Sequence, residues 1–170
     1  IVVNDLGGTG TGGYAVHLQR LSGPAGATGI AYGQTQSGTV TQAVETRAYT
    51  FSGTVGDVVL GRVMELASGF YPQVRLYGPT GQQLATATGA TLAELPATTL
   101  TATGTHTLLV LGNGGTETGG FNLHVQRLNG PVGATAIAYG QTLTGNLSVV
   151  GSSQALTFAG TSGESILLRL

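Results

Sequence analysis

The 170-residue sequence contains no cysteine, no tryptophan and no lysine, since all six of its basic residues are arginine. The absence of cysteine excludes disulfide bonds and thiolate metal sites. The absence of lysine excludes lysine-dependent isopeptide crosslinks within these residues. Disulfide bonds, thiolate metal sites and lysine-dependent isopeptide crosslinks therefore cannot stabilise the fold of these residues.

Charge is also scarce, because only 8% of the residues are charged and the net charge is −1, against about 25% charged residues in an average globular domain. No basic cluster of the kind that binds nucleic acid or anionic lipid is present. The apolar runs, such as 108–111, are far shorter than the roughly 18 residues that a membrane-spanning helix needs. We therefore expect neither a nucleic acid partner nor a membrane span.

The residues that are abundant indicate a folded chain, with 30 glycines and a hydrophobic fraction of 41%. The sequence also repeats itself at an offset of 107 residues without a gap: 17–35 read HLQRLSGPAGATGIAYGQT, and 124–142 read HVQRLNGPVGATAIAYGQT. Over the whole overlap, 1–63 and 108–170 are identical at 31 of 63 positions. Self-similarity at a fixed period is typical of a repeat architecture.

The repeat divides the chain into one complete unit flanked by two partial ones. We interpret it as a window from a longer tandem array, with a polymer whose partial units are completed by other molecules as the alternative. The two partial units together lack equivalents of residues 64–107, so we do not expect them to complete one another. The predicted divisions are closing strands at 1–21, a linker at 22–33, the complete unit at 34–128, a second linker at 129–140 and opening strands at 141–170.

Alternation of apolar and polar residues predicts half-buried antiparallel strands, clearest at 14–19 and at 121–126. Shorter segments of the same kind, separated by turn signals, predict about eight strands per unit, with the glycine runs at 7–13 and 114–120 as hairpin loops. The predicted fold class is an all-β antiparallel sandwich of the jelly-roll or immunoglobulin-like kind, without helix. The expected core is Tyr49, Phe51, Val59, Leu60, Val74, Leu76, Leu108, Val110, Leu123 and Val125.

The order of residues in 42–128 resembles a known family, the bacterial pre-peptidase C-terminal domain. The resemblance implies a secreted β-sandwich attached to exported proteases or surface proteins. Some members bind calcium, but the acidic residue that usually precedes the Leu-Tyr pair is replaced here by Gln73 and Arg75. The motifs that carry the resemblance are Tyr49-x-Phe51, Gly56-Asp57, Val74-x-Leu76-Tyr77-x-Pro79-x-Gly81, Gly104 to Val110 and Gly120-Phe121-x-Leu123.

Catalytic and metal-binding side chains do not converge in the sequence. His17 and His124 occupy the same repeat position on the outward face of a strand, where packing at the surface or between strands is expected. His106 has no second ligand at metal-binding spacing, and the seven carboxylates are too scattered for a predicted acid–base pair. Asp57 and its repeat equivalent Glu164 are expected to accept hydrogen bonds from turn amides. We therefore expect no catalytic residue, no cofactor and no metal.

The function predicted from these features is a non-enzymatic structural repeat of an extracellular or cell-surface fibre, sheath or filament. Its expected partners are adjacent repeats or further copies of the chain, because a surface poor in charge has little repulsion to keep copies apart. The alternative is an accessory module that binds carbohydrate or protein beside a large secreted enzyme. In that case the candidate binding aromatics are Tyr32, Tyr77 and Tyr139.

The expected metal independence is testable by thermal unfolding with and without EDTA. We expect the melting temperature to be unchanged, because a site that bound calcium only in the folded state would stabilise that state. A fall of more than a few degrees would contradict the prediction and make Asp57 and Glu164 the first residues to test as calcium ligands.

Overall fold

The computed structural model describes all 170 residues and contains strands but no helix. Nothing in it therefore has the length and helical form that a bilayer-crossing helix requires. The all-β prediction is confirmed. The twelve strands are β1 (Thr28–Gly29), β2 (Thr35–Val40), β3 (Arg47–Gly53), β4 (Val58–Glu65), β5 (Pro72–Tyr77), β6 (Gln83–Thr88), β7 (Leu92–Glu94), β8 (Thr98–Thr99), β9 (Gly104–Gly112), β10 (Gly119–Arg127), β11 (Thr135–Ala136) and β12 (Leu156–Thr157).

Strands β1 to β10 form two sheets that pack as a sandwich. The first sheet has the order β1-β3-β9-β5-β6, and the second has the order β2-β10-β4-β7 with β8 paired to β4. Every pairing in these sheets is antiparallel except β1 with β3. A separate parallel pair, β11 with β12, follows the sandwich.

The core between the sheets is a cluster of 17 buried hydrophobic residues. It includes every residue of the expected core except Leu60, which is half-buried on β4. Because side chains alternate across a strand, the inward positions of Val59 and Val63 turn Leu60 to the other face. Burial of each large apolar side chain is worth about 1.5–3 kcal/mol, and this cluster therefore supplies most of the driving force for folding.

Strand β10 differs from the half-buried strand that its alternation predicted. Its apolar residues face the core, but Asn122, His124 and Gln126 on the other face are also 5% exposed or less. Segments that follow β10 in the chain cover this polar face: Asn122 donates a hydrogen bond to the carbonyl of Val150 at 2.8 Å, and Gln126 donates one to the carbonyl of Val132 at 3.0 Å. The alternating pattern of β10 therefore corresponds to two buried faces, one apolar and one polar.

The predicted strand at 14–19 is absent, since no strand occurs in 1–20. This segment is the repeat equivalent of β10, which lies between β2 and β4 and bonds to both of them. Residues 14–19 have no such neighbours in the structure. Alternation of apolar and polar residues makes a segment suitable for a sheet. The strand forms only where neighbouring strands exchange backbone hydrogen bonds with it.

Two predicted connections also take a different form. The glycine-rich turn after β9 leads to β10 in the opposite sheet, so it is a crossing between sheets and not a hairpin. The segment 22–33, predicted as a linker, contains β1, which pairs with β3 at Thr28↔Tyr49 and Gly29↔Thr50. This segment is therefore part of the first sheet.

Substitution of Gly38 on β2 is expected to destabilise the sandwich. A Cβ atom there would lie 2.5 Å from Cζ of Phe121 and would also overlap the hydroxyl of Tyr49. We expect Gly38→Ala to lower the free energy of unfolding by about 1–3 kcal/mol, since overpacking displaces both rings. Urea unfolding measures the change. Gly12→Ala is the control, because its Cβ meets no atom within 4 Å, and equal losses for the two variants would contradict the packing described.

Candidate functional site

The buried polar face of β10 centres on His124, which is 1% exposed. Its Nδ1 lies 2.9 Å from the Thr35 hydroxyl on the neighbouring strand β2. Its Nε2 lies 2.6 Å from the hydroxyl of Ser153, in the segment that follows the sandwich. A histidine beside a serine can serve nucleophilic catalysis, but this ring is buried and its other nitrogen lies against Thr35. The ring connects the sandwich to the next segment of chain.

The same contact occurs at the other end of the unit. His17, the repeat equivalent of His124, has its Nε2 at 2.8 Å from the hydroxyl of Thr46, and Thr46 is the repeat equivalent of Ser153. In each case a histidine near the end of one repeat contacts a hydroxyl group in the next repeat. The side chain changes from threonine to serine while the hydroxyl is kept.

A second polar cluster forms where the linker segment meets the sandwich. The Tyr32 hydroxyl donates a hydrogen bond to Oδ2 of Asp57 at 3.2 Å, and the Thr54 amide donates to the same oxygen at 3.0 Å. The Arg127 guanidinium lies 3.5 Å from the other carboxylate oxygen and 5.7 Å from the centroid of the Tyr32 ring. The Thr54 amide is the main cause that lowers the pKa of Asp57, with smaller contributions from Tyr32 and Arg127.

This cluster is also repeated. The Tyr139 hydroxyl donates to Oε2 of Glu164 at 2.9 Å, and the Thr161 amide donates to that oxygen at 2.9 Å. Hydrogen bonds from Thr161 and Tyr139 lower the pKa of Glu164. The parallel pair β11–β12 has the same register as β1–β3, shifted by 107 residues at both ends. Both linker segments therefore attach to the following repeat in the same way.

The remaining carboxylates mostly close turns. Asp5 accepts the amides of Thr9 and Gly10, Glu45 accepts those of Thr41 and Gln42, and Glu117 accepts those of Gly114 and Thr116. Glu94 instead forms an ion pair with Arg62 at 2.6 Å. No three histidine or acidic residues come together as a metal-binding group.

The aromatic residues predicted as a binding surface do not form one. Tyr77 is only 5% exposed, because it packs with Ala48 and Leu109 on the outer face of the first sheet, beneath Leu21 and Ala27. Its candidate role is therefore wrong. Tyr32 is half-buried and packs against Phe51 with ring centroids 5.4 Å apart, while Tyr139 is 60% exposed.

Two shallow grooves occupy repeat-equivalent places. One, of about 430 Å³, lies between the β1 segment and β3, and the other, of about 630 Å³, lies between the β11 segment and β12. Ile30, Gln34 and Phe51 line the first groove, and their equivalents Ile137, Gln141 and Phe158 line the second. Neither contains a charged side chain. Each is a feature of the junction between a linker segment and the repeat that follows it.

Sequence reasoning found the repeated histidine position but not its function. The missed residues are Thr35, Ser153 and Asn122. The hydroxyl groups of Thr35 and Ser153 contact the His124 ring, and the Asn122 amide bonds to the carbonyl of Val150. One signal was present: His17 and Gln19 recur unchanged at 124 and 126, whereas surface positions in duplicated segments are free to differ. The polar face of β10 could have been recognised from that identity.

Comparison with solved structures identifies distant likenesses. No family model and no curated protein matches the chain. The pre-peptidase C-terminal domain of a collagenase from Bacillus anthracis aligns with 59% of this chain and 94% of its own, at 19% identity and a TM-score of 0.49. PliG, a periplasmic inhibitor of g-type lysozyme, aligns with 59% of this chain at 14% identity and a TM-score of 0.42 for the Aeromonas hydrophila protein. The Salmonella Typhimurium PliG gives 17% and 0.39.

The buried histidines predict a loss of stability in acid. Burial is the main cause that lowers the pKa of His106 and of His124, with Arg62 contributing at His124. In the unfolded chain both rings recover an ordinary pKa of about 6.5, so the unfolded state takes up more protons than the folded state below that pH. Stability should be constant above this value and should fall as the pH drops toward the folded-state pKa.

Urea unfolding at several pH values measures this dependence. The double variant His106→Gln/His124→Gln should have a flatter profile between neutral and mildly acidic pH, whatever its stability at neutral pH. Gln42→Ala, which changes an exposed side chain that does not titrate, should keep the profile of the unmodified protein. Equal slopes for the unmodified protein and the double variant would contradict the assignment.

Proposed function

We propose that the chain is a non-enzymatic structural repeat module of a secreted or cell-surface fibre, sheath or filament, in which β-sandwich units follow one another head to tail. The observation that carries this proposal is the recurrence of the same contacts at both junctions of the complete unit. A structural array needs a fixed orientation between successive units. Contacts that recur at every junction can fix that orientation. No catalytic residue and no cofactor form part of the proposal.

The histidine contacts support a fixed junction. His124 is buried with both ring nitrogens near hydroxyl groups, one from its own unit and one from the next. A buried polar group without a partner costs about 1–3 kcal/mol. Separation of the two units at this point would expose the His124 ring to solvent or leave one of its nitrogens without a hydrogen-bond partner. The contact therefore opposes bending between the two units.

The linker segments support the same conclusion. A flexible tether would make few contacts, but 22–33 contributes β1 to the first sheet and the Tyr32 bond to Asp57. Leu21 and Ala27 also cover the small apolar cluster on the outer face of that sheet. The connection is therefore packed against the unit that follows, and the equivalents of these contacts at Tyr139 and β11 repeat the arrangement.

The low surface charge favours association over dispersal. With 8% charged residues and a net charge of −1, neighbouring copies in an array repel one another little. An extracellular or cell-surface location accords with the resemblance to the pre-peptidase C-terminal domain and with a role in assembly.

A second candidate is an accessory module that binds a glycan or a peptide outside the cell. The two equivalent grooves favour it, because a groove repeated once per unit suits a ligand that itself repeats. The grooves are lined mainly by small or apolar residues and one glutamine side chain each, so few polar groups point at the same place. Specific ligand sites usually have several such groups that fix the orientation of the ligand. We therefore rank this candidate below the structural one.

Lengthening the array tests the structural proposal. One, two or three extra copies of residues 34–140 are inserted in register after residue 140, and small-angle X-ray scattering gives the maximum dimension of each chain. A rigid junction predicts a constant increment per copy, whereas flexible connections predict growth closer to the square root of length. Flexible growth in the unmodified series would contradict the proposal.

A junction variant makes the test specific. In the longest chain, His→Ala at every position equivalent to 124 should reduce the increment per copy and broaden the distribution of dimensions. Thr99→Ala, on the exposed end of short strand β8, is the matched control and should change neither quantity. An unchanged increment in the histidine variant would show that this contact does not set the junction.

A further inference from the structure

Strand β6 lies at the edge of the first sheet, inside the complete unit, and pairs only with β5. Ala85 and Ala87 on one face of β6 pack against the core between the sheets. Thr86 and Thr88 on the other face are exposed. The strand is therefore held in place from one side, and its second edge has no neighbour.

The free edge of β6 presents the backbone groups of Thr86 and Thr88. The Gly89 amide donates a hydrogen bond to the Pro72 carbonyl at 3.1 Å, so Gly89 bonds toward the chain that leads into β5. Bonds to one neighbour come from alternate residues of an antiparallel strand, so the amides and carbonyls of Thr86 and Thr88 point away from β5. Outside the strand pairs, no backbone hydrogen bond of the chain uses either threonine.

The other edges of the sandwich are short or occupied, as sheet edges usually are. Strands β1 and β8 have two residues each, β7 has three, and Pro96 separates β7 from β8. On β2, the Thr39 carbonyl accepts a hydrogen bond from the Arg47 guanidinium. The register of β5 with β6 shifts at Tyr77, but 85–88 form a regular edge. This edge lacks the charge and the proline that commonly block further pairing.

Charge is absent around this edge. Residues 76–93 contain no charged side chain. The nearest cation on the same sheet is Arg75 on β5, which donates hydrogen bonds to Oε1 of Gln73 at 2.9 and 3.2 Å. If two such edges met, their β5 strands would be about 14 Å apart, three strand spacings, which is beyond the screening length of about 8–10 Å. A second copy of the same neutral edge is therefore a compatible partner.

The spacing of the two threonines makes this edge complementary to itself. In an antiparallel pair, two residues directly opposite each other can exchange both of their backbone hydrogen bonds. Because Thr86 and Thr88 are two residues apart, a reversed copy of β6 places each of them opposite the other, about a two-fold axis at Ala87. All four amide and carbonyl pairs then have partners, and threonine lies opposite threonine on the outer face, a favourable cross-strand pair.

We propose that β6 pairs antiparallel with β6 of a second copy of this chain, with Thr86 opposite Thr88 in both directions. The five-stranded first sheets of two units thereby join edge to edge. The contact uses the same surface on both copies, so it closes on itself after two units. The inference rests on the proposed function where it concerns arrays, because each repeat of an array carries one such edge and gains a lateral contact to another array.

The contacts between successive repeats leave this edge free. The following repeat places Val150 and Ser153 against β10 on the outer face of the second sheet. The linker segment places Leu21 and Ala27 over the small apolar cluster on the outer face of the first sheet. Head-to-tail order and lateral pairing therefore use different surfaces of the unit, so both can form in one assembly.

Disulfide trapping tests the register in a chain that has no cysteine of its own. In a mixture of Thr86→Cys and Thr88→Cys chains, the two positions face each other with Cα atoms about 5.5 Å apart, which is within disulfide range. Mild oxidation should give the mixed dimer in several-fold excess over either homodimer. The control replaces Thr88→Cys by Thr99→Cys, which is exposed on β8 of the other sheet. Equal yields of mixed dimer from the two mixtures would overturn the proposal.

A peptide distinguishes a second copy from other strand partners. A synthetic peptide of residues 82–90 with Thr88→Cys should couple to the Thr86→Cys chain, and a scrambled peptide of the same composition should couple several-fold less. Equal coupling of the two peptides would show that the edge accepts any extended chain. That result would overturn the assignment to a second copy.

Analytical ultracentrifugation tests the edge without cysteines. The contact is one short strand edge, smaller than a standard interface, so we expect a weak dimer at protein concentrations up to about 1 mM. Thr86→Pro removes the outward amide while leaving the bonds to β5 in place, and it should weaken dimerisation roughly tenfold or more. Thermal melting checks that the unit stays folded.

A lysine variant keeps the test decisive if the proline lowers the melting temperature. Thr86→Lys places a charge at the edge, which opposes pairing, and should also weaken dimerisation. Thr101→Lys, at an exposed position outside every strand, is the matched control for the added charge and should dimerise normally. Equal dimerisation of the two lysine variants would overturn the proposal.

The lengthened chains of the scattering experiment test the link to arrays. The 170-residue chain has one β6, so pairing of this edge yields a dimer, whereas each inserted copy of 34–140 adds a further β6 edge. The lengthened chains should therefore form larger species at lower concentration. Thr86→Pro at every equivalent position should suppress this growth, and growth that is unchanged by the proline would overturn the inference.

The two proposals fail in different ways. Absence of the mixed disulfide, with no effect of the Thr86 variants on association, would overturn the lateral pairing and leave the scattering result on rigid junctions intact. Flexible junctions in the scattering series, with the mixed disulfide formed as expected, would overturn the proposed function alone.

Discussion

The pairing of β10 between β2 and β4 is the interaction on which both the sandwich and its junctions depend. It joins residues 35–40 near the start of the unit to residues 119–124 near its end, so the sheet closes only when distant parts of the chain meet. One face of β10 places Phe121, Leu123 and Val125 in the core. The other face is polar, and the unit does not cover it with its own strands.

That polar face makes successive repeats depend on each other. Asn122 and His124 are buried, and their hydrogen bonds are completed by Val150 and Ser153 of the following segment. A buried polar group without a hydrogen-bond partner is costly. The polar groups of β10 therefore have all of these partners only when the next repeat is present. The same principle explains why His17 and Thr46 form the corresponding contact on the other side. The contacts between successive repeats of the chain therefore include buried hydrogen bonds.

Turn chemistry, strand positions and most of the core could be predicted because they depend on local sequence. Carboxylates near glycine close turns whatever surrounds them, as Asp57 does with the Thr54 amide. The burial of Tyr77 and the absence of a strand at 14–19 could not be predicted in the same way. Tyr77 is covered by Leu21, which lies more than fifty residues earlier in the chain, and a strand needs a partner that its own residues do not specify.

The sequence by itself determined the all-β character, the period of 107 residues and the absence of disulfide and thiolate chemistry, because composition, alternation and self-similarity are properties of the chain alone. Only the tertiary structure decided which strands are central and which are edges. That assignment follows from backbone hydrogen bonds between distant segments, and it placed 64–107 at the margins of both sheets. Only the fold, too, made His124 a junction residue, since its two hydroxyl neighbours come from opposite sides of the sequence and meet when the sheets close.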